Sequence, residues 1–175
     1  MTTPSETLEP VQPVDAAQPA DTEHAVEAQA DDLLLERQLC FALTVASRSV
    51  VGVYKPVLER LGLTHPQYLV MLALWERSPR TLKDLSDALL HEPATLSPLL
   101  RRLEEAELVT RERVPGNERA LAITLTEKGA ALREQATAVP GQIRERLQLS
   151  REEVAELHEA MTGLIAATQR GAKVG

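Results

Sequence analysis

From about residue 33 onward, apolar residues recur at helical spacing, except in one stretch where they alternate. Over residues 32–61 a stripe of Leu33, Arg37, Cys40, Thr44, Ser47, Val51, Tyr54 and Leu58 advances by steps of four and three, the rhythm of one helix packed on another. Gly62 ends it. Thr64 with Gln67 forms a capping box around Pro66 and opens a helix through Met71 and Trp75. Thr81 followed by Asp84 marks another helix start, with Leu82, Leu85, Leu89 and Leu90 as its apolar face, and His91-Glu92-Pro93 interrupts it. The next helix is expected to open near Ala94 or Thr95, because Pro98 belongs in a first turn; Leu96, Leu99, Leu100 and Leu103 form its inner face.

After Glu107 the period becomes two. Leu108, Thr110 and Glu112 alternate with Val109, Arg111 and Arg113, residues 120–126 read as a second strand, and Pro115-Gly116-Asn117 is the hairpin tip. Beyond Thr126 a helix should run to about Val139, where Pro140-Gly141 breaks or kinks it. Ser150 with Glu153 caps a last amphipathic helix carrying Val154, Leu157, Met161, Leu164 and Ile165. The order over 81–129 is helix, turn, helix, strand, hairpin, strand, helix. The predicted fold is mainly α with a small β-hairpin wing, a winged helix-turn-helix with flanking dimerisation helices. The DNA-reading lobe spans about 64–129, within a domain of 32–170, and the dimerisation helices span about 32–61 and 127–169.

Composition supports helices, since only four of the 175 residues are Phe, Trp or Tyr and a core must come from aliphatic side chains. The net charge of -7 argues against a nucleic-acid binder until it is located. Eight of the 26 acids lie in residues 1–32, which hold no Lys or Arg; the remaining 18 acids face 19 bases. Residues 1–31, rich in Thr, Pro, Ala and acids without apolar periodicity, read as a disordered acidic tail. They have neither the basic nor the apolar region of a signal peptide, and no later run is long enough to span a membrane. With one cysteine and four scattered histidines there is no metal-ligand spacing, so no metal and no cofactor are expected, and the place indicated is a reducing cytoplasm.

A helix presenting Thr95, Ser97, Pro98 and Arg101, followed by a hairpin bearing Arg113 and Arg119, suits double-stranded DNA. Short hydroxyls and an arginine in the first turns can meet base edges in a major groove, while wing arginines reach the neighbouring backbone or minor groove. The plain alternative is a solvated helix face, with Arg101 and Arg102 paired to Glu104 and Glu105. One such unit reads only a few base pairs, and long flanking helices are suited to pairing two chains into a two-fold dimer, although they could also complete a monomer core.

LLLERQLCFAL, YKPVLERLGLTHPQYLVMLALWE, TLSPLLRRLEEAELVTR and NERALAITLTEKG together resemble the MarR family, specifically its organic-hydroperoxide-sensing, OhrR-like branch. The resemblance implies a homodimeric repressor that holds a pseudo-palindromic operator while reduced and releases it when organic hydroperoxide oxidises a cysteine near the start of the first helix. The matching position is Cys40, and with no second cysteine the chain resembles the subtype in which a small cellular thiol caps the sulfenic acid. Where that branch places tyrosines, Thr44 and His65 stand here, and Tyr54 is retained. The wing motif Asp-x-Arg is replaced by Asn117, Glu118 and Arg119.

A lone buried cysteine is ordinarily inert packing, whereas sensing needs a thiolate to attack the peroxide oxygen. Arg37, three residues earlier on the stripe, is the nearest cation in sequence, and a tyrosine hydroxyl donated to sulfur would also favour the anion. Tyr54 lies about 21 Å from Cys40 along a helix rising 1.5 Å per residue, too far for contact within one chain. If two copies of the helix cross antiparallel near Ser47, Tyr54 of one faces Cys40 of the other. His65 could replace a missing phenol as donor to the sulfur. Three other readings stand beside this one: a MarR-type regulator of a small aromatic ligand with Cys40 only structural, a thiol peroxidase, and a helical adaptor. A peroxidase needs a resolving thiol that this chain lacks.

Overall fold

The computed structural model describes residues 33–114 and 117–171. They belong to two compact units divided between Ser47 and Arg48. In the first, a 3-10 turn at Leu35–Arg37 is followed by Gln38 in extended backbone (φ −76°, ψ 121°), and helix α1, Leu39–Leu58, begins only then. The helix expected from residue 32 is therefore shorter. Gln38 breaks the periodic run, so Arg37 and Cys40 do not share one helix. The acidic tail lies outside the described residues.

In the second unit, α1 ends at Val57 and Leu58, both buried, and passes through a 3-10 turn at Glu59–Leu61 to Gly62. Gly62 adopts φ 66°, a left-handed conformation that stops a helix at little steric cost. Helix α2, His65–Glu76, starts on the expected box, with the Thr64 N–H donating to Gln67 Oε1 at 2.9 Å. It sends Val70, Met71 and Leu74 into the core. The two-residue strand β1, Arg80–Thr81, leads into α3, Leu82–Leu89, whose start is closed reciprocally: Asp84 N–H donates to Thr81 Oγ1 at 3.1 Å and Thr81 N–H to Asp84 Oδ2 at 2.9 Å. Leu85 is fully buried, with Leu82 and Leu89 half-buried. Leu90 departs from the expected face: it is the C-cap, left-handed at φ 52° and exposed, because the chain must turn there.

The turn is short and tied, since the Ser86 hydroxyl donates to the His91 carbonyl and His91 N–H returns to Ser86 O at 3.1 Å. Helix α4, Pro93–Glu105, begins at Pro93 rather than at Ala94 or Thr95. Pro93 takes the first-turn position suited to a ring without an N–H, and Pro98 sits inside the helix, not in its first turn. The lost hydrogen bond is tolerated because Leu96, Leu100 and Leu103 are all buried and hold the helix from its inner side. Burying each such leucine contributes roughly 1.5–3 kcal/mol, comparable with the cost of one interior proline.

Strands β2, Val109–Val114, and β3, Asn117–Leu125, form the wing hairpin. Its expected tip at Pro115-Gly116 lies outside the described residues. The antiparallel sheet has the order β1-β3-β2, with Arg80 opposite Ile123 and Val109 opposite Leu125. Pairing of β1 was not foreseeable, as two residues carry no period. Helix α5, Glu127–Ala136, follows a Thr126 cap, and the break comes at Thr137-Ala138, ahead of Pro140. Pro140 stands in the first turn of a new helix, α6, Val139–Leu147, where its missing N–H costs nothing. The last helix, α7, Arg151–Gly171, is capped as expected, with Ser150 N–H donating to Glu153 Oε2 at 2.7 Å, but it buries no residue.

Candidate nucleic-acid interface and cysteine centre

The outer face of α4 presents Thr95, Ser97, Pro98 and Arg101 to solvent, together with Arg102. Ser97 Oγ donates to the Pro93 carbonyl at 3.0 Å, which leaves its oxygen as an acceptor facing outward. Arg101 Nε donates to Glu105 Oε1 at 2.9 Å, the local pair that a solvated face would make. Both side chains are more than half exposed, at 78% and 59%, so this i,i+4 pair is worth only about 0.3–0.5 kcal/mol and yields readily to a better partner. Arg113 is exposed on β2, and the side chain of Arg119 lies outside the described residues.

Arg111 is the residue that sequence reasoning passed over. From β2 its Nη2 lies 3.5 Å from the Ser97 carbonyl oxygen, as a donor to it, and its Nε lies 3.2 Å from Glu104 Oε2. It braces the foot of the wing against α4. Ser97, Pro98, Arg101, Glu104 and Arg111 line one surface hollow between helix and wing, so three of the four expected contacts on α4 converge there. No local signal marked Arg111, because its partners are brought to it by the fold.

Cys40 is a free, exposed thiol in the first turn of α1, not the buried packing residue that an apolar stripe suggested. Thr44 Oγ1 donates to the Cys40 carbonyl at 2.7 Å, so its hydroxyl is spent on the backbone and does not substitute for a phenol aimed at sulfur.

Tyr54 belongs to a run of rings in the second unit. It meets His65 edge-on, with centroids 5.2 Å apart and planes at 76°, and Tyr68 at 6.2 Å; Tyr68 in turn meets Trp75 at 6.3 Å. The indole N–H of Trp75 donates to the Gly129 carbonyl at 2.8 Å. Burial pushes the Tyr54 phenol up, and pushes Tyr68 up with a smaller contribution from Tyr54. Burial holds the His65 imidazole below its usual value, which favours the neutral ring. The sequence carried a signal for this cluster: positions 65, 68 and 75 fall on one face of the helix that Thr64 caps.

Among the described residues no group of three or more His, Cys, Asp or Glu is placed to hold a metal ion, and no helix is long and apolar enough to cross a membrane.

A small three-stranded sheet joined to a helix-turn-helix, with Arg101 and Arg111 lining a hollow between α4 and the wing, is a winged helix-turn-helix. The MarR family profile matches residues 63–121, from the turn before α2 into β3. The organic hydroperoxide resistance transcriptional regulator of Bacillus subtilis (strain 168) is 41% identical over 140 residues, covering 80% of this chain and 95% of that protein. Two solved structures of AbfR bound to DNA, one reduced and one overoxidized, each match with a TM-score of 0.64 and 34% identity over 80% of this chain and 98% of theirs. The chain belongs to the MarR family, and it is a transcriptional regulator rather than an enzyme.

Proposed function

We propose that this protein is a redox-sensing repressor that binds a pseudo-palindromic operator as a homodimer while Cys40 is reduced and leaves it when organic hydroperoxide oxidises Cys40. One observation carries the reading: the chain's single cysteine stands exposed at the start of α1, in a protein 41% identical to an organic hydroperoxide resistance regulator. The chemistry is complete with one thiol. The Cys40 thiolate attacks the outer oxygen of ROOH, the O–O bond breaks, and sulfenic acid and an alkoxide form, the latter leaving as alcohol after protonation. A small cellular thiol then condenses with the sulfenic acid, releasing water and leaving a mixed disulfide.

Across the dimer, Tyr54 of one protomer faces Cys40 of the other and donates its hydroxyl to the sulfur. A phenol is a hydrogen-bond donor at neutral pH without any shift, and burial of Tyr54 only pushes it further in that direction. His65 packs against Tyr54 and orients it. On DNA, Thr95, Ser97, Pro98 and Arg101 approach base edges, while Arg113 and Arg119 of the wing meet phosphate. Arg37, in the turn ahead of Gln38 and three residues before Cys40, is the cation nearest the thiol in sequence and favours its anion.

A second reading has its own observation. An open cavity of about 450 Å³ lies beside Tyr54, lined by Val50, Ile143, Leu147 and Leu157 and by Arg144 and Arg151. Its size and apolar wall fit a small aromatic acid, with Cys40 then only structural.

The separating experiment is a titration of a duplex from upstream of the protein's own gene, with protein reduced or treated with cumene hydroperoxide, for wild type and Cys40→Ser. Release of wild type with retention of the variant is expected. Binding indifferent to peroxide in both would discard the redox reading in favour of a ligand.

A further inference from the structure

We propose that Trp75 is the joint through which a change at Tyr54 reaches the DNA-reading helix. This rests on the redox reading above and deepens it by naming a positioning residue that touches neither thiol nor DNA.

The contacts are continuous within the second unit. Tyr54, half-buried on α1, packs on Tyr68 at 6.2 Å, and Tyr68, only 4% exposed, packs on Trp75 at 6.3 Å. Trp75 crosses from α2 to α5 by its 2.8 Å hydrogen bond to the Gly129 carbonyl. Gly129 in turn lies flat against the chain at the foot of the wing: a Cβ on it would stand 2.0 Å from Leu108 O, so only a glycine permits the approach. Leu108 closes the path, its N–H donating to Leu103 O at 2.9 Å at the end of α4 and its carbonyl accepting from Thr126 N–H at 3.1 Å. Each step from Tyr54 to α4 is a packed ring, a hydrogen bond or a backbone contact.

From Tyr68 onward such a path has little slack. Tyr54 has a cavity on one side, but close-packed interiors shift between discrete arrangements rather than deform smoothly, so a Tyr54 ring that moves toward the buried Tyr68 is absorbed by Tyr68 and Trp75. Indole is suited to the last step, because it combines a large rigid ring with a single directional donor. Contiguity alone is not coupling; the joint must differ between the bound and released states, and that difference is measurable.

Trp75→Phe keeps an aromatic ring against Tyr68 and removes the donor to Gly129. In the full chain, with the upstream duplex as probe, reduced Trp75→Phe is expected to bind within about twofold of wild type. After cumene hydroperoxide, with Cys40 oxidised to the same extent by mass, wild type should lose affinity by about tenfold or more and the variant by less than about threefold. An equal loss in both overturns the joint and leaves the redox reading intact. A wild type that stays bound with Cys40 oxidised overturns the redox reading, and the joint with it. A merely structural Trp75 would lower thermal stability and reduced affinity while leaving the ratio of reduced to oxidised affinity unchanged, which also overturns the proposal.

Should Trp75→Phe fail to fold, Tyr68→Leu tests the same path upstream while keeping the hydrogen bond to Gly129. Trp75 is the only tryptophan in the chain, so its fluorescence reads the joint directly. Oxidation is expected to shift Trp75 emission in wild type and to leave it unshifted in Tyr68→Leu, with blunted release from DNA. Unshifted emission in a wild type that is released overturns the proposal, as does full release of Tyr68→Leu.

Discussion

Helices α4 and α7 carry apolar residues of the same kind and treat them oppositely. On α4, Leu96, Leu100 and Leu103 are at most 1% exposed, while on α7 Val154, Leu157, Met161 and Ile165 lie between 40% and 52%. An amphipathic helix gains little stability from its own propensity and needs its apolar stripe covered. Helix α4 is covered by residues of its own chain, drawn from the end of α1 to α6. Helix α7 leaves its stripe for something else, and a second copy of the chain, as in the proposed dimer, is the occupant that the family relationship favours.

The largest expected effect breaks this contrast if it fails. Leu100→Ala should cost about 2–5 kcal/mol in denaturant unfolding, independent of protein concentration, because it opens a cavity in a closed core. Leu157→Glu should leave the lobe folded yet shift sedimentation toward monomer and weaken operator binding. If Leu157→Glu instead destabilised the protein at every concentration and left its mass in solution unchanged, α7 would belong to the same closed core as α4.

A smaller effect sharpens the comparison on the outer faces. Arg101 and Arg102 stand on that of α4, whereas α7 shows Glu152, Glu153, Glu156 and Glu159 to solvent. Arg101→Ala should therefore relax sequence preference by about 1–3 kcal/mol if it reads a base edge, and Arg113→Ala should mainly flatten the dependence of binding on salt. Competition with altered duplexes and a salt series check the two; unchanged binding in both would move the interface elsewhere.

The smallest effect lies where α1 meets α2. His65 is held below its ordinary value of 6.5 by burial, so on acidification the unfolded chain takes up the proton first. Its contribution to stability is complete above that value, falls as the pH drops below it, and levels off once the folded state is protonated too. His65→Asn should remove this slope, read as the thermal midpoint across roughly pH 5 to 7.5. A slope unaltered by the substitution would assign the acid sensitivity to other groups.

Much of this was legible in advance because its causes are local. The caps at Thr64, Thr81 and Ser150, the leucine faces of α3 and α4 and the alternation of β2 each depend on residues within one or two turns of one another. The misplacements also have local origins. Pro98 suits a helix start but sits inside α4, which Pro93 opens, and Pro140 suits a break but stands in the first turn of α6, with the break just before it. Among the site residues, Thr95, Ser97, Pro98 and Arg101 were readable as one exposed face, while the pairing of Arg111 with Glu104 was not.

By itself, then, the sequence determined the main helices, the hairpin, the winged helix-turn-helix and the single thiol, since periodicity, capping and composition act over short separations along the chain, while its resemblance to known sequences carried the family. Only the tertiary structure decided that Arg37 leaves the helix of Cys40, that Arg111 braces the wing and that Tyr54 connects through Tyr68 and Trp75 to Gly129. Trp75 and Gly129 are 54 residues apart, and no pattern in the chain encodes a contact made when two helices pack.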